Sequence, residues 1–87
     1  MKALKVFREN ARHARLQIGE SQELLAEKAG LAYQHYQDIE AGRRDGLRLV
    51  TIERIAKALE VPIWQLFQPG RFPKPLRKRG RSKKIAR

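Results

Sequence analysis

With 87 residues the chain has material for one small domain, which buries only about 60% of the surface its unfolded form exposes and leaves little room for a deep active-site cleft. It contains no cysteine, which excludes a disulfide framework and a thiolate zinc site and points to a reducing, cytoplasmic setting in which apolar packing alone holds the fold. The formal net charge of +11 favours polyanions, nucleic acid first among them, and with no signal-peptide core and no run of about 18 apolar residues neither export nor a membrane span is expected.

Taken in chain order, Leu4, Phe7, Ala11, Ala14 and Ile18 recur every three or four residues and form one stripe on a first helix, predicted to end near Gly19. Ser21 supplies an N-cap oxygen for a short second helix, whose apolar face is Leu25, Ala26 and Ala29 and whose end is marked by Gly30. About three residues then separate Gly30 from the next helical run, room only for a sharp helix-to-helix turn. A third helix is predicted over 32–41, stopping at Gly42. At 100° per residue, Tyr33, Gln34, Gln37, Asp38 and Ala41 share one polar arc, while His35, Tyr36, Ile39 and Glu40 fall on the opposite, packing side. After a basic loop over 42–48, a fourth helix carries Leu49, Ile52, Ile55, Ala56 and Leu59 as a stripe expected to be strongly buried. Pro62 is placed to open a short fifth helix, with Ile63, Leu66 and Phe67 closing the core.

The charge is unevenly spread. Residues 1–67 hold eleven Lys and Arg against nine Asp and Glu, whereas 68–87 hold nine basic residues and no acidic one. Four Pro and Gly between 69 and 75, followed by a run almost devoid of apolar residues, cannot bury enough surface to offset ordering entropy, so a disordered basic tail is expected over 68–87. The predicted architecture is therefore all-α, a compact five-helix domain over 1–67 with that tail appended. The tail either tracks a nucleic-acid backbone or enters a minor groove, or it adds only solubility and nonspecific affinity.

A short helix, a tight turn and a second helix with a polar outer face form the unit that sets a recognition helix in the major groove of double-stranded DNA. Glutamine pairs with adenine there, aspartate accepts from the cytosine amino group, and tyrosine packs on a thymine methyl or bonds a phosphate. Tyr33, Gln34, Gln37 and Asp38 are thus the base-reading candidates, although a polar helix face taken alone is more often simply solvated. Catalysis is not expected. His35 and Asp38, three apart, do not complete a metal site, His13 stands among arginines, and there is no Gly-rich phosphate loop, serine elbow or convergent carboxylate pair, so neither metal nor cofactor is implied.

Three stretches in the right order carry a resemblance: Ser-Gln-Glu-Leu-Leu-Ala-Glu-Lys-Ala-Gly-Leu at 21–31, Ile-Glu-Ala-Gly-Arg-Arg at 39–44 and Ile-Ala-Lys-Ala-Leu at 55–59. Together they resemble the Cro and Xre type of phage-repressor helix-turn-helix proteins over roughly residues 4–67. The resemblance implies a repressor-like five-helix bundle that regulates transcription by binding operator DNA, usually as a homodimer. It implies a phosphate contact for Gln22, base contacts for Tyr33, Gln34, Gln37 and Asp38, and backbone contacts for Arg43 and Arg44. It further implies a partly buried ion pair between Arg15 and Glu40 that fixes the recognition helix. Several positions depart from the family pattern. Ala32 replaces a Ser or Thr cap, Glu20 and Leu24 exchange the usual polarity, the 45–49 loop is one residue longer, Glu60 replaces a glycine, and Asp38 stands where a neutral or basic residue is common. An antitoxin-type module that also binds a toxin partner is the alternative reading, and RNA association through the tail a third. Trp64 is surplus to the fifth helix's inward face, so it either anchors a two-fold interface or covers its own core edge.

Overall fold

The computed structural model describes residues 2–70, and every element in it is helical: α1 (Lys2–Gln17), α2 (Gln22–Ala29), α3 (Tyr33–Ala41), α4 (Leu49–Leu59) and α5 (Ile63–Leu66). The helices follow from the apolar spacing and from the residues that stop them. Ser21 Oγ accepts the amide of Leu24 at 3.0 Å and opens α2, while Gly30 and Gly42, at φ 72° and 79°, close α2 and α3 in the left-handed conformation that glycine adopts without strain. Ala32 opens α3 with no side-chain cap bond, and the helix starts one residue later than the sequence predicts.

Each helix contributes a large apolar side chain that is wholly removed from solvent: Phe7, Leu25, Tyr36, Ile55 and Leu66. Burying a side chain of this size stabilises by about 1.5–3 kcal/mol, so the core draws on all five elements at once. Around these residues α2 packs on α3 and α4, α1 lies across α3, α4 and α5, and α5 also touches α4.

The structure corrects the sequence reading at three points. Leu49, assigned to the buried stripe of α4, is 70% exposed. Its angle on the helix is close to that of Ala56, but it stands at the first turn, where a helical side chain leans toward the N-terminus and away from the packed turns. Ile18 lies beyond the end of α1 and is exposed, because the helix stops at Gln17 and the chain turns through Gly19 at φ 74°. Pro62 is the N-cap of α5 rather than its first residue.

A helix of four residues cannot hold itself, and α5 is fastened from outside. The Phe67 ring stacks on Phe7 at 5.3 Å between centroids. The buried Asn10 amide donates to the carbonyls of Leu66 and Gln68, both at 3.0 Å, satisfying groups that the helix end leaves open. The expected basic tail begins at the exposed Gln68, and from residue 71 it lies outside the described residues. No helix among the described residues is long and apolar enough to cross a membrane.

Candidate nucleic-acid interface

Between α2 and α3 only Gly30, Leu31 and Ala32 intervene, and the Leu31 amide reaches back to the Ala26 carbonyl at 2.9 Å, which makes the turn tight and directs α3 across the end of α2. The inward side of α3 is Tyr36 and Ile39, both buried. Outward, Tyr33 is 45% exposed and Gln34 is open to solvent, while Gln37 and Asp38 are half-buried. The four side chains named from the sequence thus stand on one accessible face, with the first turn of α3 the more open part of it.

Behind that face lies a polar hub. Arg15 of α1 donates to Glu40 of α3 through Nε at 2.8 Å and Nη2 at 3.1 Å, a two-pronged pair, and gives a third bond to the Glu20 carbonyl at 2.8 Å. Gln22, the first residue of α2, donates at 2.8 Å to Glu40 Oε1, the oxygen that Arg15 Nη2 also reaches, and the Tyr36 hydroxyl donates to Oε2 from one turn away. The Glu40 side chain is only 4% exposed and that of Arg15 11%. Burial works to raise the Glu40 carboxyl, but the hydrogen bonds from Arg15, Tyr36 and Gln22 outweigh it and hold the group below its ordinary value. Chiefly through the Glu40 hydrogen bond, Arg15 becomes harder to deprotonate, and desolvation pushes the Tyr36 hydroxyl far up. One carboxylate thereby ties α1, α2 and α3 together and fixes the angle at which α3 leaves the bundle.

Past α3 the chain turns at Gly42, over which the Arg8 guanidinium packs so closely that a Cβ there would sit 2.8 Å from Arg8 Cζ. A cation at the C-terminal end of α3 complements the helix dipole. Arg43 folds back onto α3 and donates to Asp38 Oδ1 at 2.8 Å, while Arg44 is exposed and continues the basic surface. Arg44 lines, with Arg48 and Arg54, a crevice of about 360 Å³ between α3 and the start of α4. Arg48 and Arg54 had no role in the sequence reading, and no periodicity along the chain places them beside Arg44; the packing of the loop on α4 does. Gln22, expected at a phosphate, spends one amide N–H on Glu40 and keeps the other. Among the described residues no three His, Cys, Asp or Glu side chains converge as metal ligands.

An outward polar helix braced from behind, preceded by a short helix and a three-residue turn and flanked by arginines, defines a helix-turn-helix domain. The helix-turn-helix family description matches residues 12–63, and the chain belongs to this family, in its Cro/C1-type branch of DNA-binding regulators. Among solved structures, a hypothetical transcription factor, NHTF, from Neisseria is 36% identical with a TM-score of 0.72, over 77% of this chain and 74% of that one. The restriction-modification controller protein C.AhdI from Aeromonas hydrophila is 34% identical with a TM-score of 0.70, over 77% of this chain and all of the other. No curated protein matches the chain.

Proposed function

We propose that this protein is a cytoplasmic transcriptional regulator, not an enzyme, that recognises specific double-stranded DNA sequences with α3 in the major groove. The observation that carries this reading is the division of α3 itself, with Tyr36 and Ile39 sealed inside, Tyr33 and Gln34 outside, and Glu40 holding the whole from behind. Gln34 and Gln37 are suited to adenine, Tyr33 to a thymine methyl or a phosphate, with Asp38 on the same face. Gln22, Arg44, Arg48 and Arg54 form the flank that would meet phosphates, and Arg43 lies between the two groups. The resemblance to a controller protein and to a transcription factor supports the same class of function.

The protein acts as a homodimer in this proposal, placing two copies of α3 roughly 34 Å apart on successive major grooves. Leu49 and Trp64, at 70% and 66%, are the most exposed of the large apolar side chains among the described residues, and they are the candidates for self-association. Selection of bound duplexes from a random pool, followed by gel shifts over a salt series, tests the proposal. A two-fold site bound far more tightly than unrelated DNA is expected. Weak binding indifferent to sequence at every salt concentration overturns it, and a protein that instead co-purifies with a small partner through Trp64 favours the antitoxin-type reading.

A further inference from the structure

The outer face of α3 is wired before any ligand arrives. Asp38 Oδ1 accepts from Gln34 Nε2 at 3.1 Å and from Arg43 Nη1 at 2.8 Å. The main chain repeats the link, since the Arg43 amide donates to the Asp38 carbonyl at 2.9 Å. Gly42, at φ 79°, reverses the chain so that Arg43, the next residue, brings its guanidinium back along the helix rather than away from it. Arg43 then lies at the level of Gln34 and Asp38, among the groups that face outward, with its remaining N–H donors uncommitted among the described residues.

We propose that Asp38 is a positioning residue rather than a base contact, and that Arg43, held beside Gln34, reads a guanine in the major groove. This rests on the reading of α3 as a recognition helix and reassigns two roles within it. Three observations support it. A lone carboxylate brought to a duplex is repelled by the phosphates, but here its charge is matched by Arg43, which together with Gln34 holds the carboxyl below its ordinary range. Asp38 Oδ1 already accepts twice, which turns the carboxylate toward its own chain and leaves only Oδ2 for any base. An arginine fixed at one Nη keeps a planar edge for the O6 and N7 acceptors of guanine, the pair of acceptors that a guanidinium fits bidentately. The same anchoring removes much of the rotamer freedom that a long side chain would otherwise lose on binding.

The test uses the full chain and the site obtained by selection, with every base pair of that site changed in turn. Arg43→Met is expected to abolish discrimination at one G·C pair, by tenfold or more, and to leave the ranking at the other positions intact. Asp38→Asn is expected to weaken discrimination at that same pair, several-fold, with Asp38→Glu restoring part of it. Arg43 is exposed and Asp38 half-buried outside the core, and circular dichroism checks that the fold is unchanged. Uniform weakening of all duplexes by Arg43→Met, with a salt dependence shallower by about one ion, marks a phosphate contact and overturns the proposal. So does an Asp38→Asn effect at a different base pair, which makes Asp38 a direct reader, or no effect of Asp38→Asn at all. Failure of the wild-type chain to distinguish any duplex is a separate result and removes the recognition-helix reading itself.

Discussion

At Glu60 the backbone holds φ 62°, a left-handed conformation that costs an L-residue about 1–2 kcal/mol and costs glycine almost nothing. The position ends α4 in the same way that Gly30 and Gly42 end α2 and α3, but with a side chain that gains nothing from being there. Glu60→Gly is expected to raise stability by about 1 kcal/mol, read as a higher urea midpoint at unchanged slope. Glu40 makes the opposite case. Its carboxyl is a stronger acid folded than unfolded, so the unfolded chain binds more protons in the acid range. The stability it contributes is complete above its ordinary value of 4.5 and is lost as the pH falls through the lower folded value. Glu40→Gln strands the Arg15 charge and is expected to cost about 3 kcal/mol at neutral pH, the low end for a buried pair because Arg15 keeps some exposure. Thermal melts of the two proteins should converge as the pH is lowered below 4.5, and a constant gap would show that the carboxylate is not the source.

Residue identity foretold some of this and not the rest. Glu60 in the place of a glycine was visible only as a departure from the pattern of the family that the chain resembles. The Arg15 and Glu40 pair was visible only through resemblance, since two charges 25 residues apart carry no local pattern. The Tyr36 hydroxyl and the Gln22 amide at the same carboxylate were missed. The first follows the one-turn spacing of Tyr36 and Glu40, which was read as a shared packing face without regard to the hydroxyl. The second depends on how α2 meets α3, and no spacing along the chain encodes that.

Among the elements, α2 was legible from end to end between its Ser21 cap and Gly30 stop, α1 and α4 were legible except at Ile18 and Leu49, and the ones fastened by side chains elsewhere were not. The α3 stop at Gly42 was read correctly, whereas its first turn is held by neighbours rather than by a cap of its own. Ala32 already has the extended conformation of an N-cap, at φ −63° and ψ 143°, so Ala32→Ser has only to add an oxygen. A gain of about 1 kcal/mol is expected, measured as a raised melting temperature with DNA affinity unchanged or improved. At α5 the sequence named Leu66 and Phe67 but missed Asn10, a polar residue beside the α1 stripe that suggested nothing about a helix far along the chain. Asn10→Leu removes the donors to Leu66 and Gln68 while keeping the volume, and is expected to lower stability by about 1–3 kcal/mol through carbonyls left without partners. A loss confined to hydrogen-exchange protection in α5 would show that the helix frays alone.

For the molecule as a whole the charge has two parts, a nearly balanced domain and nine cations in 68–87. Removal of 69–87 is expected to weaken DNA binding and flatten its salt dependence while sparing sequence preference, because in the proposed function preference belongs to α3 and the cations only attract. Loss of preference along with affinity would give the segment a reading role. Trp64→Ser is expected to shift sedimentation toward the monomer and to reduce affinity for a two-fold site more than for a half-site.

The carboxylate that joins the first three helices has a further consequence. In the proposed dimer, a scaffold clamped at that junction cannot swivel α3 to suit an imperfect spacing, so any misfit between the two copies and their site would be absorbed by the double helix. Operators whose centre contains easily kinked pyrimidine–purine steps should therefore be preferred over stiff A-tracts at base pairs no side chain touches, and the protein should feel the mechanics of its target as well as its letters.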